Sequence, residues 1–274
     1  MPILRLAAPV LTIAALLIAC GDRTNPAAPS VPPLPAGANL VINGADYVLT
    51  GSTTAYTATV TLSDGSNRTV TPTWSSSAAE VATIDNAGRL DGRTHGSTTL
   101  TATHDGRSAS RIVQVVNNYG GSWSGRYIVR ACHDSGIFTD GFHSPTHSDV
   151  PWCQDRALGN GIGSEHLFVF TLHQTGRSYS EIRATFGADL YGWIPGIVTP
   201  DGRLMLEGTV KVLDWYGDHW GDLQFSGWDT TLERADGMTG RWAQNTTVVG
   251  QQGNAYEEVE IVTMSRSATA SASQ

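Results

Sequence analysis

Tyr56-Thr57-Ala58-Thr59-Val60-Thr61-Leu62 alternates apolar and hydroxyl side chains without interruption. Successive side chains of an extended strand point to opposite faces. Tyr56, Ala58, Val60 and Leu62 therefore share one face and the threonines the other, the pattern of a strand with one side in a core. Ser63-Asp64-Gly65-Ser66 then supplies the residues of a tight turn. The rest of the chain agrees: 30 glycines, 15% charged residues and no long stretch with a 3.6-residue apolar period predict an all-β protein. A formal net charge of −8 argues against a nucleic-acid partner, which would need basic patches.

Downstream of that turn come Trp74-Ser75-Ser76-Ser77, Val81-Ala82-Thr83-Ile84-Asp85, Gly88, Leu90 and Gly96-Ser97-Thr98-Thr99-Leu100-Thr101-Ala102-Thr103. Their order and spacing resemble the bacterial immunoglobulin-like group 2 family. The resemblance implies a two-sheet sandwich over residues 39–116, a module common in bacterial surface proteins, adhesins included, that acts as a spacer or contact domain and carries no catalytic residues. Trp74 is then the large filler between the sheets. His95 and His104 lie beside turns, with no cysteine or carboxylate at a ligand spacing, and read as solvated loop residues.

Asn117-Asn118-Tyr119-Gly120-Gly121 reads as a break before a second domain, residues 121–266. Trp123, Gly125, Tyr127 and Val129 alternate with polar residues, as do Phe168, Phe170 and Leu172. Leu204, Leu206, Val210 and Val212 follow the Pro200-Asp201-Gly202 turn, and Asp236-Gly237 marks another hairpin. Further strands are expected at residues 179–186, 193–198, 223–232, 238–243 and 256–264. The total is about eight, the number at which an antiparallel sheet closes into a small β-barrel. Gly121-Ser122-Trp123, with Arg266 just past the last strand, resembles the Gly-x-Trp start and late basic residue of lipocalin-like (calycin) barrels, whose arginine covers the tryptophan. That resemblance implies a barrel mouth for a small apolar, amphipathic or glycan ligand. A barrel filled by its own side chains is the alternative that eight strands equally permit.

At the N-terminus, Arg5 precedes an apolar stretch from Leu6 to Ile18, and Leu17-Ile18-Ala19-Cys20 closes it. The stretch is too short to span a bilayer. These four residues resemble the lipobox of bacterial lipoproteins. The resemblance implies a signal peptide over residues 1–19, cleavage before Cys20, lipidation of its thiol and attachment to a membrane; an ordinary cleaved signal with a coincidental cysteine is the alternative. Gly21, where an aspartate would retain the protein in an inner membrane, implies the outer membrane if the cell is Gram-negative. Each acyl chain contributes about 0.8 kcal/mol per buried methylene, so several would anchor the protein essentially permanently. Pro26, Pro29, Pro32, Pro33 and Pro35 make residues 20–38 an extended linker, and residues 267–274 form a Ser/Ala/Thr tail.

With Cys20 lipidated, Cys132 and Cys153 remain, and an extracytoplasmic compartment lets them pair. The segment they enclose contains His133, Asp134, Asp140, His143, His147 and Asp149. Pro145 between His143 and His147 argues against a shared helical face, and the helical zinc motif with its glutamate is absent, so no metal is assigned. In Asp214-Trp215-Tyr216-Gly217-Asp218-His219-Trp220-Gly221-Asp222, aromatic rings stand beside carboxylates. Sugar-binding surfaces use that combination, rings against the apolar sugar face and carboxylates as hydroxyl acceptors. Asp214, Trp215, Tyr216, Asp218 and Trp220 are thus the candidate ligand-binding residues. A β-turn with rim aromatics is the competing reading. No catalytic residue, nucleophile elbow or cofactor motif is identified. The sequence is read as a cell-envelope lipoprotein with a non-catalytic binding, adhesion or display role toward a protein or glycan partner. A ligand-carrying barrel comes second, and a metal-dependent or glycan-cleaving enzyme third.

Overall fold

A computed structural model describes residues 38–139, 150–155, 161–176, 182–187, 189–214 and 216–267. Cys20 and its signal segment, Asp140, His143, His147, Asp149, Trp215 and the tail from residue 268 lie outside them. Among the described residues the regular structure is β, with no α-helix and two short 3₁₀ turns, Gly136–Phe138 and Trp152–Gln154.

The first ten strands are β1 (Asn39–Asn43), β2 (Tyr47–Leu49), β3 (Thr53–Ala55), β4 (Thr57–Thr61), β5 (Asn67–Val70), β6 (Thr73–Ser76), β7 (Ala82–Ile84), β8 (Arg89–Gly92), β9 (Gly96–His104) and β10 (Arg107–Val116). They form three small sheets, β1-β4-β5, β2-β10-β9-β6 and β3-β8-β7, in which only β2 and β10 run parallel. The alternation of Tyr56 to Leu62 becomes geometry here. Tyr56, Ala58 and Val60 are buried with Trp74, Leu90, Leu100 and Val113, while Thr57 is exposed. Gly88 turns with φ +78°, and a Cβ there would stand 2.2 Å from the Tyr56 carbonyl oxygen. Only glycine fits that approach.

The second group comprises β11 (Gly121–Asp134), β12 (Glu165–Gln174), β13 (Ile182–Phe186), β14 (Leu190–Tyr191), β15 (Trp193–Val198), β16 (Leu204–Leu206), β17 (Gly208–Leu213), β18 (His219–Arg234), β19 (Gly237–Val248) and β20 (Ala255–Arg266). β14 and β15 are one strand interrupted at Gly192, and β16 and β17 one strand interrupted at Glu207. The two pair in a single register, Leu190 with Val212 and Gly196 with Leu206, through β17 and β16 respectively. Counted so, eight strands follow one another as antiparallel neighbours, and the last returns to the first: β20 pairs β11 from Ala255 opposite Asp134 to Arg266 opposite Trp123. The sheet is a closed ring, and closure removes the exposed edges an open sheet would present. Tight coiling requires Gly125, where a Cβ would lie 1.9 Å from the Thr263 carbonyl oxygen.

The ring's interior is packed with its own side chains. Trp123, Phe170, Leu172, Ile182, Ala184, Ile194, Leu204, Phe225, Trp228 and Trp242 are buried in one cluster, and the Trp228 and Trp242 rings stack at 4.4 Å. Of the two arrangements eight strands permit, the middle of this ring is the filled one.

The segment that reads as a break is a hydrogen-bonded joint between sandwich and ring, which share one compact unit. Asn117 donates from Nδ2 to the Gly202 carbonyl (2.8 Å), the Asn118 amide to Thr50 Oγ1 (3.0 Å) and the Tyr119 amide to Gln174 Oε1 (2.7 Å). Tyr119 is fully buried and donates its hydroxyl to Gly202 O (2.7 Å); burial pushes its pKa up to about 12. His95 belongs to the joint as well, contrary to its reading as a solvated loop residue. Its Nε2 donates to Pro200 O (3.0 Å) while its Nδ1 accepts from the Asn117 amide (3.3 Å), which defines the neutral Nε2–H tautomer. Its partners lie 105 and 22 residues away, beyond any local spacing rule.

Candidate functional site

The ring has two chemically different ends. At the joint end, Tyr47 and Leu49 of β2 pack on the ring's core. Trp123 is buried and donates from Nε1 to Tyr119 O (2.8 Å). The Arg266 guanidinium lies 5.3 Å from the Trp123 ring centre and donates from Nη1 to the carbonyls of Asn118 (3.1 Å) and Gly120 (2.8 Å), and from Nη2 to that of Ala235. A cation over an indole face, with carbonyls completing its hydrogen bonds, seals this end.

The opposite end holds the ends of β11, β13, β17 and β19 and the starts of β12, β18 and β20. Here the inward row changes from apolar to polar. Glu257 on β20 is only 5% exposed and Gln244 on β19 only 7%. Gln244 is the hub: its Nε2 donates to Glu257 Oε2 (2.7 Å) and to the Tyr127 hydroxyl (3.3 Å), while its Oε1 accepts from Trp242 Nε1 (3.1 Å). Trp152, in the second 3₁₀ turn, donates from Nε1 to Glu257 Oε1 at 3.4 Å. Burial, opposed by the Gln244 hydrogen bond and reinforced by the Glu257 charge, pushes the Tyr127 pKa up to about 12, so the phenol stays neutral. His166, opposite Tyr127 in register, stacks on its ring at 5.1 Å, and its Nε2 is buried without a hydrogen-bond partner. Phe168, Phe186, Leu190 and Leu223 complete the lining and are only partly buried; Phe186 stacks on Phe225 at 4.8 Å.

Both clusters singled out in the sequence are connections at this end. The pairing expected of Cys132 and Cys153 is present, with Cα atoms 5.6 Å apart. Cys132 stands opposite Glu257 in register, and the Cys153 amide donates to Asp134 Oδ2 (2.9 Å). The bond thereby holds Trp152 beside the buried carboxylate. Of the His/Asp-rich loop, Asp134 is engaged in that contact and His133 stacks on Tyr256 at 6.3 Å. The turn between β17 and β18 carries Asp214, Tyr216 and Asp218. Asp214 Oδ1 accepts the amides of Tyr216 (2.9 Å) and Asp218 (2.8 Å), so it shapes its own turn. Tyr216 is 88% exposed, Asp218 is exposed and Trp220 half-buried. His219 Nε2 lies 3.0 Å from Asp222 Oδ1.

Sequence reasoning missed Glu257, Gln244 and His166, although a signal was present. Each stands at the inward parity of its strand: Glu257 with Ala255, Val259 and Ile261, Gln244 with Trp242, and His166 with Phe168 and Phe170. A polar residue at apolar parity is the mark of an interior that stops being a plain core. The outer face differs. A groove of about 710 Å³ runs past Arg130, Arg203, Asp229, Arg241 and Glu260, but Arg130 donates to Glu260 (2.6 Å) and Arg203 to Asp229. Glu260 and Asp229 are thus already paired at the surface.

Residues 45–113, within the sandwich, match the family described as bacterial Ig-like domain (group 2). No curated protein matches the chain. Among solved structures, the S-layer protein rSbsC aligns at 12% identity and a TM-score of 0.24 over 83% of this chain, which spans 38% of that chain's length. Domains 5-6 of the S-layer protein SbsC align at 17% identity and a TM-score of 0.25, covering 80% of this chain and 95% of the other.

Proposed function

We propose that the chain is a non-catalytic binding and display protein of the bacterial cell envelope, held on a membrane by lipid on Cys20, in the outer membrane if the cell is Gram-negative. The observation that carries this reading is the asymmetry of the ring. The sandwich and the Tyr119–Arg266 seal occupy one end, and chain order runs from the anchor through the linker and sandwich to that end. Among the described residues, the opposite end carries neither. Its rim offers Asp214, Tyr216 and Asp218, with Trp215 and Trp220 beside them in sequence, to a glycan or protein partner. The anchor is tested by metabolic labelling with palmitate. The wild-type protein is expected to incorporate label and sediment with membranes, and Cys20→Ser to lose the label. An unlabelled wild-type protein recovered wholly in the soluble fraction would contradict the anchor.

One observation favours a second reading, a lipocalin-like carrier of a small molecule. Glu257, Gln244, Tyr127 and His166 form a buried polar cluster where a ring serving only as a filled scaffold would continue its apolar packing.

A further inference from the structure

Among the described residues, two groups at the end opposite the joint lack a full set of partners. A carboxylate taken out of water needs a countercharge or several strong hydrogen bonds. Among the described residues, Glu257 has two donors, both neutral, Gln244 at 2.7 Å and the Trp152 indole at 3.4 Å, and forms no salt bridge. The second group is His166 Nε2, buried and without a partner. The two belong to one cluster, because the Tyr127 ring that stacks on His166 carries the hydroxyl that Gln244 ties to Glu257. Around them the walls are aromatic. The half-buried Trp152 indole has a π-face that attracts cations, and Phe168 and Phe186 leave apolar ring surface only partly covered.

We infer that this end of the ring binds a small organic cation, a protonated amine on an apolar or aromatic body, with the ammonium set against the Glu257 carboxylate and donating to His166 Nε2, and the body resting on Phe168 and Phe186. The inference rests on the carrier reading and specifies its ligand. A neutral or anionic head group would leave Glu257 without a countercharge, and an anion would add repulsion. In the alternating-charge groove on the outer face, by contrast, Arg130 with Glu260 and Arg203 with Asp229 already form solvated pairs.

The test titrates the full-length lipoprotein in nanodiscs, by calorimetry, with three probes of one body: 2-phenylethylammonium, 2-phenylethanol and phenylacetate. The ammonium is expected to bind about tenfold or more tighter than the alcohol, as befits a desolvated charge pair, and phenylacetate weakest. Glu257→Gln is expected to abolish that preference, whereas Glu258→Gln, which removes an exposed carboxylate on the adjacent residue, leaves it intact. Equal binding of ammonium and alcohol to the wild-type protein overturns the cation inference while retaining a carrier. Failure of all three to bind overturns both. Loss of the preference in Glu258→Gln as much as in Glu257→Gln assigns it to surface charge and also overturns the inference. If Glu257→Gln does not fold, the wild-type head-group series decides alone.

Discussion

Replacing Trp228 by alanine is expected to destabilise the protein by about 4 kcal/mol, at the upper end of large-to-small core substitutions. The side chain is fully buried. It stacks on Trp242 at 4.4 Å, meets Phe170 edge-on at 5.5 Å and donates from Nε1 to Thr230 Oγ1 at 3.1 Å. Truncation removes the indole from the centre of the ring, and the neighbouring strands cannot collapse into the space because their backbones are fixed by closure. It also strips one of two stacking partners from Trp242, whose Nε1 supports Gln244, so the loss should reach the end opposite the joint. Chemical denaturation followed by near-ultraviolet circular dichroism measures the effect. Trp193→Ala is the control: half exposed and covered by Arg183 at 4.6 Å, it should cost only about 0.5 kcal/mol. Equal losses in the two variants would mean that the ring is not packed around Trp228.

The second large effect concerns the disulfide. Cys132 and Cys153 are separated by 21 positions, and opening a loop of that length costs about 3 kcal/mol in the chain-entropy model. Reductant should therefore lower the stability of the wild-type protein by this amount and leave a Cys132→Ala/Cys153→Ala variant unaffected. The consequence goes beyond stability. The bond positions the segment that brings the Trp152 indole to Glu257 and the Cys153 amide to Asp134. Its removal should weaken 2-phenylethylammonium binding even where the protein remains folded. Unchanged stability on reduction would show that the loop is held by other contacts.

The sandwich was legible because its information is local. Tyr56 to Leu62 carries its alternation in consecutive residues, and Gly88 and Trp74 occupy positions that a short pattern can specify. The ring's strands were legible for the same reason, and Trp123 and Arg266 meet across closure as a pair of marked residues at the two ends of the pattern. The joint was not. Asn117 and Asn118 look like a linker because Asn favours turns, yet their hydrogen bonds run to Gly202, Gln174 and Thr50, and His95 acquires its tautomer from residues remote in the chain. Glu257 was hidden differently. It stands in Tyr256-Glu257-Glu258-Val259-Glu260, where three glutamates read as a solvated strand edge, and only the inward parity shared with Ala255 and Val259 separates it from Glu258 and Glu260. The carboxylates that drew attention, Asp214 and Asp218, belong to a turn that one of them shapes.

The most direct test of the proposal that the end opposite the sandwich is the binding end is amide and side-chain chemical-shift mapping of the isotopically labelled protein on titration with 2-phenylethylammonium. Perturbations are predicted at Tyr127, His166, Phe168, Phe186, Gln244 and Glu257, with those at the joint residues His95, Asn117 and Tyr119 remaining still. Perturbations confined to the outer groove around Arg130 and Arg241, or to the joint, would contradict it.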